Sequence, residues 1–334
     1  MRKKDKNKLY IKKKNNITIS YDYINGEYYY NDLKDKNNLI PISVCWMIEN
    51  LCNLDCVYCF AENKNILSSI DYKVVADNIL KLDPVTIVLT GGEPTLNPNL
   101  PNIIEYIGDK AYTIIDSNGT TNNWEKIIPK LKNSLVRFSI DSLSCDIINI
   151  VRPSKNKILT FKQIETITKN IQMLKRSNIP VIIQTVMTKF NINELNSLYE
   201  YLVELGMERW YISAVKYSDK CENNYNDICL NDEELNIVKE QIENFNSDKI
   251  NITFSVEKEA GAKSRLFVEK SGRFFVDTIV DGIIYVGKEC TKPTKKEILS
   301  CLDVDKHYDL YINKKNIVNR KEKEECKWKT KLKK

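Results

Sequence analysis

Cys52, Cys56 and Cys59 form a Cys-x3-Cys-x2-Cys run with Phe60 directly behind it, and Gly91-Gly92-Glu93-Pro94 follows about thirty residues later. Three thiols at this spacing fit one loop around a single iron–sulfur cube. A [4Fe–4S] cluster has four irons and normally takes four cysteines, so three ligands leave one iron open to bind and activate a small molecule. A structural zinc site asks for four ligands, often as two closely spaced pairs, and no second such pair is present. The double glycine lets the backbone take positive φ and approach a ligand closely, while Pro94 fixes the turn.

These residues need a frame. From residue 43 the chain alternates short apolar runs with amphipathic stretches. Strands are expected at 43–49, 85–89, 112–115, 135–140, 180–187 and 210–215, and helices at 71–82, 99–107, 124–131, 161–175 and 192–205. Strands alternating with helices favour a parallel sheet with helices outside it. Each chemistry-bearing motif falls at the C-terminal end of a strand, where such sheets and barrels place their sites. Residues 10–30 alternate and are rich in tyrosine, and Asn25-Gly26 is a type I′ turn signal, so a hairpin beside the main domain is expected over 1–40. Residues 41–249 form the expected main domain, and 250–334 a small α+β extension. In the extension, strands are expected at 251–256, 273–278 and 283–286 with Asp281-Gly282 as a turn, and short helices at 295–301 and 307–312.

The ordered motifs resemble the radical SAM superfamily over roughly residues 43–215. The resemblance implies a partial (β/α)6 barrel and assigns Cys52, Cys56 and Cys59 to a [4Fe–4S] cluster. It implies that S-adenosylmethionine occupies the open iron through its amino and carboxylate groups. Reductive cleavage then yields a 5′-deoxyadenosyl radical that abstracts hydrogen from substrate. Tyr58 matches the aromatic that usually precedes the third cysteine. Gly91, Gly92, Glu93 and Pro94 match the motif that grips the methionine amino group. Asn118-Gly119 matches the polar-glycine end of strand three. Ser139 and Asp141 lie on one side of strand four and match positions that reach SAM, although Asp141 could equally cap a helix. Arg152 matches an arginine placed near the methionine carboxylate, with a surface salt bridge as its ordinary alternative. Gln184, Val186 and Ser213 could line the adenine side.

Many relatives carry a Twitch or SPASM extension that binds an auxiliary [4Fe–4S] cluster. The stretch 273–287 resembles the hairpin that opens it, but Gly287 stands where the cysteine is expected. Cys290, Cys301 and Cys326 remain as auxiliary ligands, at a spacing that fits no established motif. Cys45 reads as core, and Cys145 and Cys229 have no evident role. Cys221 follows strand six in a loop at the expected mouth of the site, where a thiol could return a hydrogen atom to a substrate radical or simply be a loop residue.

The 334 residues carry a net charge of +6, but its distribution matters more than its sum. Residues 2–14 and 314–334 each carry +7, which leaves −8 on the rest. The tails read as solvated ends or as a site for an acidic partner such as a peptide leader, and no nucleic-acid motif accompanies them. His307 is the single histidine, so proton transfer in the main domain would fall to Glu, Asp, Lys, Tyr or Cys. No apolar run is long enough to span a bilayer. The basic N-terminus lacks the apolar core of a secretory signal, and ten cysteines without such a signal point to a reducing cytoplasm.

The sequence therefore points to a radical SAM enzyme whose substrate is read first as a peptide. A nucleotide or other small molecule, as in viperin-like dehydratases, is the alternative, and an iron–sulfur scaffold or electron carrier the remote one. A reducing partner such as flavodoxin or ferredoxin is implied by the resemblance.

Overall fold

The computed structural model describes residues 9–14, 17–30, 36–59, 61, 70–154, 156–216, 224–246, 248–256, 263–278, 282–313 and 317–318. Six strands run parallel in chain order: β4 (Ser43–Glu49), β5 (Thr86–Gly91), β6 (Tyr112–Ser117), β7 (Ser134–Ser139), β8 (Val181–Met187) and β9 (Arg209–Ala214). Numbers β1–β3 belong to an N-terminal sheet described below. Helices α1 (Tyr72–Leu80), α2 (Leu100–Ile107), α3 (Trp124–Ile127), α4 (Cys145–Val151), α5 (Lys157–Arg176) and α6 (Leu195–Glu204) lie between the strands. Asp71 caps α1 by accepting from the amide of Lys73, and Asn156 caps α5 in the same way. The expected mostly parallel α/β architecture is what the chain adopts.

Segments from the expected C-terminal extension join the same sheet at both edges. After α7 (Tyr225–Ile228) and α8 (Asp232–Glu243), β10 (Asn251–Ser255) pairs parallel with β9. At the other edge β11 (Leu266–Val268) pairs parallel with β4, followed by antiparallel β12 (Phe274–Thr278) and β13 (Gly282–Tyr285). Eight parallel strands result where six were expected. β11 escaped the periodicity reading because three residues carry no period. The chain then forms α9 (Lys295–Cys301), α10 (Val304–Tyr308), a π-helical turn at Asp309–Asn313 and β14 (Ile317–Val318), which pairs with β10. Among the described residues no helix is long and apolar enough to cross a membrane.

The N-terminal segment is a three-stranded antiparallel sheet of β1 (Leu9–Lys14), β2 (Ile17–Asp22) and β3 (Glu27–Tyr30). Asn25-Gly26 does not form a type I′ turn. Four residues link β2 to β3. Asp22 accepts from the amides of Ile24 and Asn25, and Gly26 alone takes positive φ, at 62°. This sheet closes the N-terminal end of the barrel rather than lying beside it. Tyr10, Tyr21 and Tyr23 pack on Tyr112 at the start of β6. The hydroxyls of Tyr28, Thr86 and Ser43 form a buried chain, with a 2.7 Å hydrogen bond at each step.

Burial along the strands marks the two sides of the sheet. Val44, Trp46 and Ile48 of β4 are buried with the apolar faces of the helices, including Val75, Ile79, Ile103 and Ile107. Alternate positions stay half-buried: Cys45 and Met47, Thr90, Asp116, Arg137 and Ser139, Gln184 and Val186, Tyr211 and Ser213. They run from the middle of their strands to the C-terminal ends. Positions of the same set nearer the N-terminal ends, such as Ser43, Thr86 and Arg209, are buried. The barrel thus has a lumen that is open above and floored by the N-terminal sheet.

His307, the single histidine, is buried far from the strand ends. Its Nε2 accepts from the amide of Ile42 at 3.0 Å and its Nδ1–H donates to the carbonyl of Ser264 at 2.7 Å. It ties α10 to the start of β4 and has no part in the site.

Candidate functional site

The cysteine loop begins where β4 ends. It is fastened on two sides. The amides of Asp55 and Val57 donate to the carbonyls of Pro153 and Val151, at 2.8 and 3.1 Å, and Ser154 Oγ donates to the carbonyl of Asn53. On the other side, Gly92 N donates to Glu49 O at 2.6 Å and Glu93 N to Leu51 O at 2.8 Å. This close approach needs glycine. A Cβ at Gly91 would run into the Glu49 carbonyl, one at Gly92 into that of Leu51, and Gly91 sits at a φ of 128°.

Cys52, Cys56 and Cys59 are all half-buried. Cys52 Sγ accepts from the amide of Leu54 at 3.5 Å and from Asn118 Nδ2 at 3.8 Å. Burial raises the Cys52 thiol, and the Leu54 amide opposes the shift. Burial pushes the Cys56 thiol up to about 11, against the charge of Arg152. Phe60 lies outside the described residues.

Glu93 is buried and accepts four hydrogen bonds. Thr95 N, Thr95 Oγ1 and Ser117 Oγ donate to Oε1, and Asn118 N donates to Oε2 at 2.7 Å. Burial raises its pKa, and these donors hold it down. The carboxylate thereby locks the end of β5 to the end of β6, and the buried Pro94 starts a 3-10 turn beside it. Asn118 also donates from Nδ2 to Asn53 Oδ1, and its Oδ1 accepts from Thr120 N and Oγ1.

Asp141 does not cap a helix, because α4 is preceded by Ser144. Its Oδ1 accepts from Val186 N at 2.8 Å, its Oδ2 accepts from the Tyr58 hydroxyl, and its carbonyl accepts from Asn191 Nδ2. Burial raises its pKa, and Arg152 works against the rise. Arg152 is not at the surface either. It is 2% exposed, with Nη1 donating to the carbonyl of Ser139, Nη2 to that of Asn118 at 3.3 Å, and Nε 3.7 Å from Asp141 Oδ2. The buried guanidinium fixes two strand ends and the residue that contacts Cys52.

Gln184, Val186 and Ser213 are half-buried on neighbouring strands, with Val186 level with Ser213. Cys221 and Cys326 lie outside the described residues. Cys290 and Cys301 are half-buried near α9. Sequence reading missed Asp116 and Arg137, which form an ion pair on β6 and β7 inside the lumen. It also missed Arg209 and Tyr211. The available signal was a charged residue within an apolar strand: Asp116 in Ile-Ile-Asp-Ser and Arg137 in Leu-Val-Arg-Phe.

The donor set fits a cluster. Three thiols on one loop are approached by N–H donors at Cys52 and by a guanidinium near Cys56, which oppose the rise that burial imposes on the thiols and would tune the potential of a bound cluster. Among the described residues, no three His, Cys, Asp or Glu side chains gather tightly enough to hold one metal ion. A cube bound through separate irons does not require that.

Known proteins bear on this geometry. An uncharacterized protein of Methanocaldococcus jannaschii is 35% identical over 184 residues, which cover 52% of this chain and 62% of the relative. The chain thus spans less than two thirds of that relative. An S-adenosylmethionine-dependent nucleotide dehydratase of Flammeovirga pacifica is 25% identical over 73% of this chain and 85% of its own length. The crystal structure of Streptococcus suis SuiB bound to S-adenosylmethionine shares the fold, with a TM-score of 0.61 and 12% identity over 81% of this chain and 67% of that one. Residues 47–202, from β4 through α6, match the model of the radical SAM superfamily.

Proposed function

We propose that the chain is a radical SAM enzyme in which Cys52, Cys56 and Cys59 hold a [4Fe–4S] cluster and the rim of β5 to β8 binds SAM. When bound, the two supply a reductively generated radical that removes a hydrogen atom from substrate. The chain's own residues prepare the rim. Gly91 and Gly92 let the turn lie against the cysteine loop. Glu93 and Arg152 fix the strand ends. Asn118, Ser139 and Asp141 stand where the rim meets the lumen. The observation that carries this reading is the direct joining of cysteine loop, glycine turn and strand ends through Gly92–Glu49, Glu93–Asn118 and Asn118–Cys52.

For the substrate, the closed floor of the lumen supports a small molecule held inside the barrel over the peptide read first from the sequence. A small polar molecule enclosed in the barrel comes first and a peptide second. The Flammeovirga pacifica relative, named for a nucleotide substrate, supports the same order. An electron donor such as flavodoxin or ferredoxin completes the proposal.

The test compares anaerobically reconstituted protein with the Cys52/Cys56/Cys59→Ala triple variant, using iron and sulfide content and dithionite-driven formation of 5′-deoxyadenosine. About four irons per chain are expected, lost in the variant together with SAM cleavage. Retention of iron and cleavage in the variant would sink the proposal. Protection of a precursor peptide, rather than a small molecule, in a binding screen would restore the peptide reading.

A further inference from the structure

The floor of the lumen carries two arginines and one carboxylate. Arg209 opens β9. Pairing of Trp210 with Ile183 puts Arg209 level with Ile182, which is level with Arg137 on β7, and Arg137 is level with Asp116 on β6. Strands lie about 4.8 Å apart, so the two arginines stand about 10 Å apart at the backbone, within reach of a common point for side chains of this length. Arg137 donates from Nε and Nη2 to the two oxygens of Asp116, the second at 2.5 Å. Asp116 thereby neutralises one guanidinium.

Arg209 has no such partner. It is 7% exposed, and its Nε is buried without a hydrogen bond. Among the described residues no carboxylate pairs with it. Its guanidinium lies against Gly26 of the N-terminal sheet, where a Cβ would overlap Nη1. Its electrostatic neighbours are the phenols of Tyr21 and Tyr211, the like charge of Arg137, and Asp22. A guanidinium stays charged in proteins, and a buried charge without a partner is costly. A buried charge that lacks a protein partner and borders a lumen marks a candidate ligand site.

We propose that Arg209, with Arg137 beside it, binds an anionic group of the substrate, a carboxylate or a phosphate, at the floor of the lumen. This rests on reading the lumen as the substrate site. It orients the substrate: the anionic end sits below, and the carbon to be attacked faces the rim at Asn118 and Asp141. Tyr211 and Gln184 lie one inward position above the arginines and offer hydrogen bonds to the middle of such a molecule.

The experiment uses full-length reconstituted protein without reductant. Phosphate and, separately, glutarate are titrated against chloride at equal ionic strength, with the thermal midpoint and calorimetric Kd as readouts. One of the two anions is expected to bind saturably, and which one binds names the source of the negative group. Arg209→Met should weaken that binding at least tenfold, while Arg209→Lys keeps part of it. In anion-free buffer Arg209→Met should melt no lower than the wild type, because it removes a buried unpaired charge. No saturable binding of either anion, equal binding by Arg209→Met, or a clear drop in its anion-free midpoint would each overturn the proposal. No reductant or SAM is needed. Failure here with 5′-deoxyadenosine still formed condemns the anchor alone, whereas loss of 5′-deoxyadenosine formation condemns the enzyme reading alone.

Discussion

The hydroxyl of Tyr58, one residue before Cys59, donates to the buried carboxylate of Asp141, two residues beyond the end of β7. The other carboxylate oxygen holds Val186 N, and Arg152 Nε stands 3.7 Å from Oδ2. One side chain therefore couples the cysteine loop, the top of β8 and the buried arginine that reaches Ser139 and Asn118.

Asp141→Ala should be among the most damaging changes outside the cysteines. It leaves Arg152 as an uncompensated buried charge, and breaking such a pair costs about 3–5 kcal/mol. Tyr58→Phe removes one hydrogen bond and should cost about 1–2 kcal/mol. Urea unfolding measures both. A cost below about 1 kcal/mol for Asp141→Ala would mean that Arg152 finds another partner and that the proposed coupling is absent.

The glycine turn gives a sharper contrast. Gly108 has a φ of 52° with open space around its missing Cβ, whereas Gly91 and Gly92 face backbone carbonyls. Gly108→Ala should carry only the backbone cost of holding a side chain at φ 52° and ψ −127°, a region that glycine favours, about 1–3 kcal/mol. Gly91→Ala and Gly92→Ala must also push the cysteine loop away, so they should lose iron on reconstitution as well as stability. Equal iron content in all three variants would show that the turn and the loop are mechanically independent.

Much of this was legible in the sequence, for reasons that differ by element. The six central strands announced themselves because each is a β-branched apolar run closed by a helix cap or turn residue. The Cys-x3-Cys-x2-Cys loop and the glycine turn were legible because their chemistry requires contiguous residues. Asp141 was visible as a strand-end residue and Arg152 as an arginine of the expected SAM site, but their burial was not, because it depends on α4 folding back over the rim. The floor was invisible. Arg137, Asp116 and Arg209 lie in three separate strands, and only register brings them level. The N-terminal sheet looked like a hairpin on the flank because its tyrosines fit any apolar surface. That they pack on Tyr112 is a fact of topology.

Cys45 provides a probe of the lumen. Burial, near Arg265, Asp116 and Arg137, pushes its thiol up to about 11. The thiolate is the reactive form, so alkylation by iodoacetamide should be slow near pH 8 and rise about tenfold per pH unit up to about pH 11. Peptide mass spectrometry of briefly labelled native protein separates Cys45 from the exposed Cys145. A rate at Cys45 that is flat with pH, or fast at pH 8, would show that this side of the lumen is open to solvent and that its thiol is already ionised.

Asn118 tests the joint between cluster loop and SAM rim most directly. Its backbone serves Glu93, while its side chain bridges Asn53 Oδ1 at 2.7 Å and Cys52 Sγ at 3.8 Å. Asn118→Ala removes the side-chain donors but keeps the backbone amide, so Glu93 stays satisfied. The expected result is a protein that folds with a loss of about 1–2 kcal/mol and holds its iron less tightly in air. Asn118→Asp is the more telling change. It keeps the acceptor for Thr120 but places a second carboxylate beside buried Glu93 and beside a sulfur that must be a thiolate to bind iron. Like charges at short range in a buried setting repel strongly, so Asn118→Asp should retain less iron than Asn118→Ala despite its closer shape. If the two variants keep iron equally, the Asn118–Cys52 contact has no electrostatic part in holding the cluster, and shape alone accounts for the residue.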